Sequence, residues 1–220
     1  PSPKQYGYRS KITPHFMTPR RADFPIGFLA AGTSRRIVDV PKCPIATDAI
    51  NASLARARKD IRGNPGRFER GATLLFRDCE EGVVTDPRQV VTEKVGAIQL
   101  KFLAGEFFQN NPSVLEQFVG HAIQLAHDSG AKHLVDTYCG SGLFALSGAR
   151  RFESVNGVEV SAEAARKAAE NATLNRFLNC RFIAGSAESI FKKIPVEGGE
   201  SAVIVDPPRK GCDEAFLDQL

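Results

Sequence analysis

The sequence predicts an α/β protein in two parts, a smaller α+β domain over residues 1–104 and a helix-covered parallel sheet over residues 105–220. Three observations carry that reading. Apolar segments after Gly105 alternate between strand-like and helix-like spacing, the order of a parallel sheet with helices on both faces. One strand closes on a glycine-rich turn, Asp136-Thr137-Tyr138-Cys139-Gly140-Ser141-Gly142. A later one, residues 202–205, closes on Asp206-Pro207-Pro208-Arg209.

In the first part, residues 6–16, 26–29 and 37–40 are strand-like runs separated by proline, glycine and basic turns. Residues 48–61 set Ile50, Leu54, Ala57 and Ile61 at helical spacing, and Gly63-Asn64-Pro65-Gly66 breaks the chain after them. Residues 72–77, 82–85, 89–93 and 97–102 are expected to form an antiparallel group. In the second part, Asn111-Pro112 fits a helix start with proline at the first position. Apolar spacing continues to His127, and Gly130 suits the end of that helix. Strands at 133–136, 155–160, 181–183 and 202–205 then alternate with helices at 143–151, 162–174 and 187–193. A further helix is expected to begin near Asp213.

The formal net charge of +4 over 220 residues permits an anionic partner without demanding one. The basic residues are concentrated: Lys4, Arg9, Lys11, Arg20, Arg21, Arg35, Arg36 and Lys42 face only Asp23 and Asp39 before Pro44. Such a bias fits an RNA-facing surface, with Arg9, Lys11, Arg35 and Arg36 as phosphate contacts, or a merely solvated one. Cys43, Cys79, Cys139, Cys180 and Cys212 are widely spaced with no C-x-x-C. They read as free thiols of a reducing, intracellular setting rather than a disulfide framework or zinc site, and no metal is expected. No apolar run reaches membrane-spanning length. Beginning at Pro1, the chain reads as an excised piece of a longer protein.

The turn at Gly140-Ser141-Gly142-Leu143-Phe144-Ala145 fits the loose G-x-G-x-x-A pattern, in which glycines let the backbone turn sharply and approach a ligand. Glu159 follows Gly140 by nineteen residues, where a carboxylate can accept from both ribose hydroxyls. That pair alone leaves S-adenosylmethionine and NAD both open. Asp206-Pro207-Pro208-Arg209 separates them. Two prolines after a strand hold its last carbonyls rigidly at the sheet edge. Amino-group methyltransferases place Asn-Pro-Pro-aromatic there, and Arg209 in place of the aromatic suits a phosphate or carboxylate. A dehydrogenase has no use for this tetrapeptide.

With these motifs the chain resembles the S-adenosylmethionine-dependent RNA uracil-5-methyltransferases, most of all the fungal tRNA branch of that family. The resemblance runs through Tyr8-Arg9-Ser10-Lys11-Ile12-Thr13-Pro14-His15-Phe16, Ile37-Val38-Asp39-Val40, Cys43-Pro44-Ile45 and Phe107-Phe108-Gln109-Asn110-Asn111. It continues through Tyr138-Cys139-Gly140-Ser141-Gly142, Gly157-Val158-Glu159 and Asp206-Pro207-Pro208-Arg209-Lys210-Gly211-Cys212. It implies a Rossmann-like methyltransferase domain whose parallel sheet is incomplete over residues 1–220, with its first and fourth strands side by side and residues 202–205 an edge of these four. It also implies a cofactor held by Gln109, Tyr138, Gly140, Gly142, Glu159 and Asp206, and a tRNA uridine, that of the T-loop, met by Pro207, Pro208 and Arg209. Two positions depart from relatives. Leu143 can offer only its backbone where some carry a polar contact, and Ser186 stands where an aspartate commonly accepts from the adenine amine.

The implied chemistry adds a cysteine thiolate to uracil C6 and later removes the C5 proton with a carboxylate. The family places both residues beyond the position of Leu220, so residues 1–220 alone are expected to be inactive, with no catalytic residue assigned. Cys212 belongs to the proline-rich motif itself and is not the nucleophile, and Cys139 reads as structural. Some relatives bind an iron–sulfur cluster with four cysteines, one in a motif like Cys43-Pro44-Ile45, but Cys43 alone cannot hold one. A non-catalytic RNA-binding chain and an NAD-dependent oxidoreductase remain the alternatives. The sequence leaves open whether tRNA or ribosomal RNA is the target.

Overall fold

The computed structural model describes residues 2–19, 23–185, 194, 198–212 and 214–218. By its internal contacts the chain divides into two compact units, Pro1–Val91 with Leu103–Val114, and Thr92–Phe102 with Leu115–Leu220. The division is interleaved rather than a single cut at residue 104. Thr92–Phe102 groups with the second unit because Asn171 and Asn175 of that unit hold the backbone of Lys101 and Gln99.

The first unit holds β1 (Lys11–Ile12), β2 (His15–Phe16), β3 (Gly27–Leu29), β4 (Ile37–Asp39), α1 (Asp48–Gly63), β5 (Ala72–Thr73), β6 (Phe76–Cys79) and β7 (Gly82–Val84). Two antiparallel sheets result, ordered β4-β3-β2-β5 and β1-β6-β7. The long strand expected over residues 6–16 is interrupted, because Thr13-Pro14 ends β1 and proline supplies no ladder donor. Residues 72–77 likewise divide at Leu74-Leu75, and their halves join different sheets, so no single antiparallel group forms. Helix α1 follows the expected spacing. Ile50, Leu54 and Ile61 are buried, and the Thr47 side chain caps the first turn by accepting from Ile50 N at 3.3 Å. They pack with Ile12, Cys43, Ala46 and Phe76 at one end, and with Phe16, Phe24 and Ile26 at the other. A buried cation on the same helix escaped the apolar pattern: Arg58 donates to the carbonyls of Ile26 and Val40 and to Asp39.

The second unit takes in most of the hairpin β8 (Val90–Val95) and β9 (Ile98–Leu103) and of α2 (Pro112–Asp128), which cross the division. It continues with β10 (His133–Thr137), α3 (Leu143–Gly148), β11 (Ser154–Glu159), α4 (Ala162–Leu174), β12 (Cys180–Ala184), β13 (Ser201–Val205) and α5 (Glu214–Leu217). The four later strands are parallel and ordered β12-β11-β10-β13, so the first and fourth lie side by side. Among the described residues β13 ends the sheet. Helix α3 stops at Gly148, short of the expected Arg151. An added Cβ at Gly148 would stand 2.4 Å from the Leu134 side chain, so glycine here lets the helix end press onto β10. The helix expected at 187–193 and the polar contact considered at Ser186 lie outside the described residues, as does Asp213.

Candidate functional site

The register of the parallel sheet sets three of the sequence-selected residues level with one another. Thr137 pairs with Val158 on one side and with Val205 on the other. Tyr138, Glu159 and Asp206 are each the next residue along, at the carboxyl ends of three adjacent strands. This is the edge at which open α/β sheets bind ligands.

The turn leaving β10 is built for close backbone approach. Tyr138 takes a positive φ of 61°, rare for a side chain of its size, and Gly140 and Gly142 follow at 54° and 94°. Apart from its chain neighbours, no atom of the described residues lies within 4 Å of a Cβ added at Gly140, whereas one at Gly142 would meet Leu146 and Ala168 at 3.2–3.3 Å. The first glycine therefore borders open space and the second packs the turn onto two helices. The Tyr138 ring meets the buried Phe216 edge-on at 5.9 Å, and its hydroxyl donates to Cys212 Sγ at 3.8 Å. Cys212 is thus a neighbour of the site.

Glu159 holds its own side of the turn. Its Oε2 accepts from Gly140 N at 3.0 Å and its Oε1 from Ser161 N at 2.9 Å. A carboxylate oxygen accepts more than one hydrogen bond, so this half-buried side chain keeps capacity for two further donors. Asp206, Pro208 and Arg209 are exposed and Pro207 is half-buried. Gln109 belongs to the other unit.

Two residues that the motif reading did not select secure this edge. Asp136 is fully buried; its Oδ2 accepts from Ala145 N at 2.8 Å, tying the start of α3 to β10, and its Oδ1 has no partner among the described residues. Burial first, then the charges of Asp206 and Glu159, push its carboxyl up to about 7, against the opposing hydrogen bond from Ala145. Asn171, 1% exposed, donates to Ser141 O and Lys101 O at 3.0 Å and accepts from Lys101 N at 2.8 Å. An asparagine on the alanine-lined buried face of α4 was the available signal. Burial also drives the Cys139 thiol well above the ordinary cysteine range, which suits packing and not nucleophilic attack.

The basic candidates divide. Arg35 and Arg36 are exposed on the turn between β3 and β4, where Thr33 Oγ1 accepts from both of their backbone N–H groups. Lys11 is half-buried, donating to the Gly105 and Glu106 carbonyls at 2.8 Å each, and Arg9 Nε donates to Lys11 O. The structure does not place these four in one cluster of free cations.

Residues 83–220 match the family model described as tRNA (Uracil-5-)-methyltransferase. The chain belongs to that family. It is 45% identical over 234 residues to the tRNA (uracil(54)-C(5))-methyltransferase of Schizosaccharomyces pombe and 36% identical over 283 residues to that of Saccharomyces cerevisiae. Each comparison takes in all of this chain and 44% of the relative, so the chain spans less than half the length of these family members. A solved Pyrococcus abyssi tRNA (uracil-54, C5)-methyltransferase, in complex with S-adenosyl-L-homocysteine, superposes with a TM-score of 0.74 over 99% of this chain and 64% of that one. At 22% identity that likeness is one of fold, and the fold is the Rossmann-like methyltransferase fold. Among the described residues no helix is long and apolar enough to cross a membrane.

Proposed function

We propose that the chain serves methyl transfer from S-adenosylmethionine to C5 of a tRNA uridine, that of the T-loop. The observation that carries this is the level placement of Tyr138, Glu159 and Asp206 at three strand ends beside a turn whose Gly140 borders open space. The residues present fit a nucleoside-bearing cofactor. Glu159 has acceptor capacity for a ribose diol, Gly140 and Gly142 let the main chain come close, and the exposed Asp206 carboxylate puts negative charge where a cationic cofactor is favoured. S-adenosylmethionine supplies an electrophilic methyl on a sulfonium.

In this reading Pro207 and Pro208 hold the backbone that meets the target base, and Arg209 meets a phosphate. Arg35, Arg36 and Arg9 reach RNA phosphates, while Lys11 acts mainly by fixing the chain around Gly105. Gln109 is read as a cofactor contact from the family resemblance alone. No residue of 1–220 is assigned as nucleophile or base. A site of action inside the cell follows from a tRNA substrate. An NAD-dependent oxidoreductase is not favoured, because neither the family match nor the proline-rich strand end suits one.

Titration with S-adenosylhomocysteine, NADH and an unmodified tRNA transcript tests the reading. S-adenosylhomocysteine and tRNA should bind and NADH should not. Binding of NADH in preference to S-adenosylhomocysteine would overturn it.

A further inference from the structure

A second recess, in the first unit, is used by none of the residues assigned above. It is a groove of about 680 Å³ lined by Tyr6, Gly7, Lys42, Pro44, Asp48 and Asn51, with Ala46 at its base. That volume is ample for one nucleotide. Its walls are fastened to one another. Gly7 N donates to Pro44 O at 3.0 Å, Arg9 N to Ile45 O at 2.7 Å, and Thr47 N back to Arg9 O at 3.2 Å. Asn51, only 8% exposed, fixes the loop beneath by accepting from Cys43 N and donating to the Cys43 and Ala46 carbonyls, at 2.8–3.2 Å. The groove is therefore preformed, with little ordering left for a ligand to impose.

Its chemistry is that of a single-stranded nucleotide site. Tyr6 is 62% exposed and offers a ring face for stacking, and the exposed Pro44 gives an apolar surface beside it. Lys42 is exposed and suited to a phosphate, and Asp48 presents a carboxylate that can accept two adjacent N–H donors from a base edge. Guanine carries such a pair at N1 and N2. We propose that this groove binds one unstacked nucleotide of RNA, its base stacked on Tyr6 and read by Asp48, its phosphate held by Lys42. The inference rests on the reading of the chain as RNA-binding and names a contact surface for it.

The chain has three tyrosines and no tryptophan, so stacking on Tyr6 is directly visible in tyrosine emission. The RNA pentamers AAGAA and AAAAA are the probes, with an unmodified tRNA transcript as reference. AAGAA should quench the emission and bind several-fold more tightly than AAAAA. Asp48→Asn should erase that preference, and Tyr6→Leu should weaken AAGAA binding roughly tenfold. Tyr6 and Asp48 are exposed, so circular dichroism should confirm an intact fold in both variants. Binding of AAGAA unaltered in Tyr6→Leu, or tRNA binding without pentamer binding, would overturn the groove assignment alone. Failure of tRNA and both pentamers to bind would overturn the RNA-binding reading with it.

Discussion

Lys11 lies directly opposite Arg77 across the β1–β6 pair, and both donate to one acceptor, the carbonyl oxygen of Glu106, at 2.8 and 2.7 Å. Like charges facing across a strand pair are destabilising on their own. Here three successive carbonyls absorb them: Ala104 O accepts from Arg77 Nε, Gly105 O from Lys11, and Glu106 O from both. The pair thereby pins the chain segment that leads into Phe107-Phe108-Gln109. Its basic character is spent on the fold.

That arrangement sets a pH dependence. Burial first, then Arg77 and Arg9, lower the Lys11 ammonium to about 8, with Glu106 acting the other way. Between pH 8 and the ordinary lysine value of 10.5, the unfolded chain holds a proton that the folded chain has lost. Stability therefore gains from this group as pH rises through that window. Lys11→Met should remove this gain. Denaturant melts at pH 7.5, 9 and 10.5 check it, and parallel curves for the two proteins would refute the assignment.

The same geometry separates the basic residues in RNA binding. Neutralising Arg35 and Arg36 together should lower tRNA affinity and reduce the salt dependence by about one unit per lost phosphate contact. Lys11→Met should leave that slope where it was. A slope unchanged in the arginine double variant would make the β3–β4 turn a solvated surface only.

Asp136 gives the opposite sign. Its carboxyl rises to about 7 in the folded chain from an ordinary 3.8. Between those values the folded chain holds a proton that the unfolded chain has released, so stability from this group falls as pH rises. Asp136→Asn keeps an acceptor for Ala145 N and should flatten the decline between pH 4 and 7. A decline as steep as the wild type's would show that other groups set it.

Asn171→Ala removes the partner of Lys101 N and two carbonyls that face a buried amide. Leaving buried polar groups unpaired costs about 1–3 kcal/mol, and the glycine turn should loosen with it. Equilibrium unfolding measures the first effect. Hydrogen exchange at Ser141 and Gly142 measures the second, and unaltered protection there would place Asn171 outside the support of the turn.

The parallel sheet was legible because short apolar stretches alternate with helical spacing, and two of them, Leu134-Val135 and residues 202–205, run into glycine or proline motifs at Gly140 and Pro207. The same motifs marked the strand-end residues Tyr138, Glu159 and Asp206 before any register was known. The first unit was less legible because its strands are two to four residues long, too short for periodicity to bound. Proline at position 14 cut one expected strand, and Leu74-Leu75 passed another between two sheets. Buried polar residues were missed for a common reason. Arg58, Arg77, Asp136 and Asn171 act through backbone atoms distant in sequence, which no local pattern records.

The most direct test of the strand-end site is calorimetric titration of S-adenosylhomocysteine into the wild-type chain and Glu159→Ala. The wild type should bind, and the variant should lose roughly 1–3 kcal/mol, the range for donors left without a buried acceptor. Equal affinity in the two proteins would contradict the placement of the cofactor ribose at Glu159, and with it the site built on Tyr138, Glu159 and Asp206.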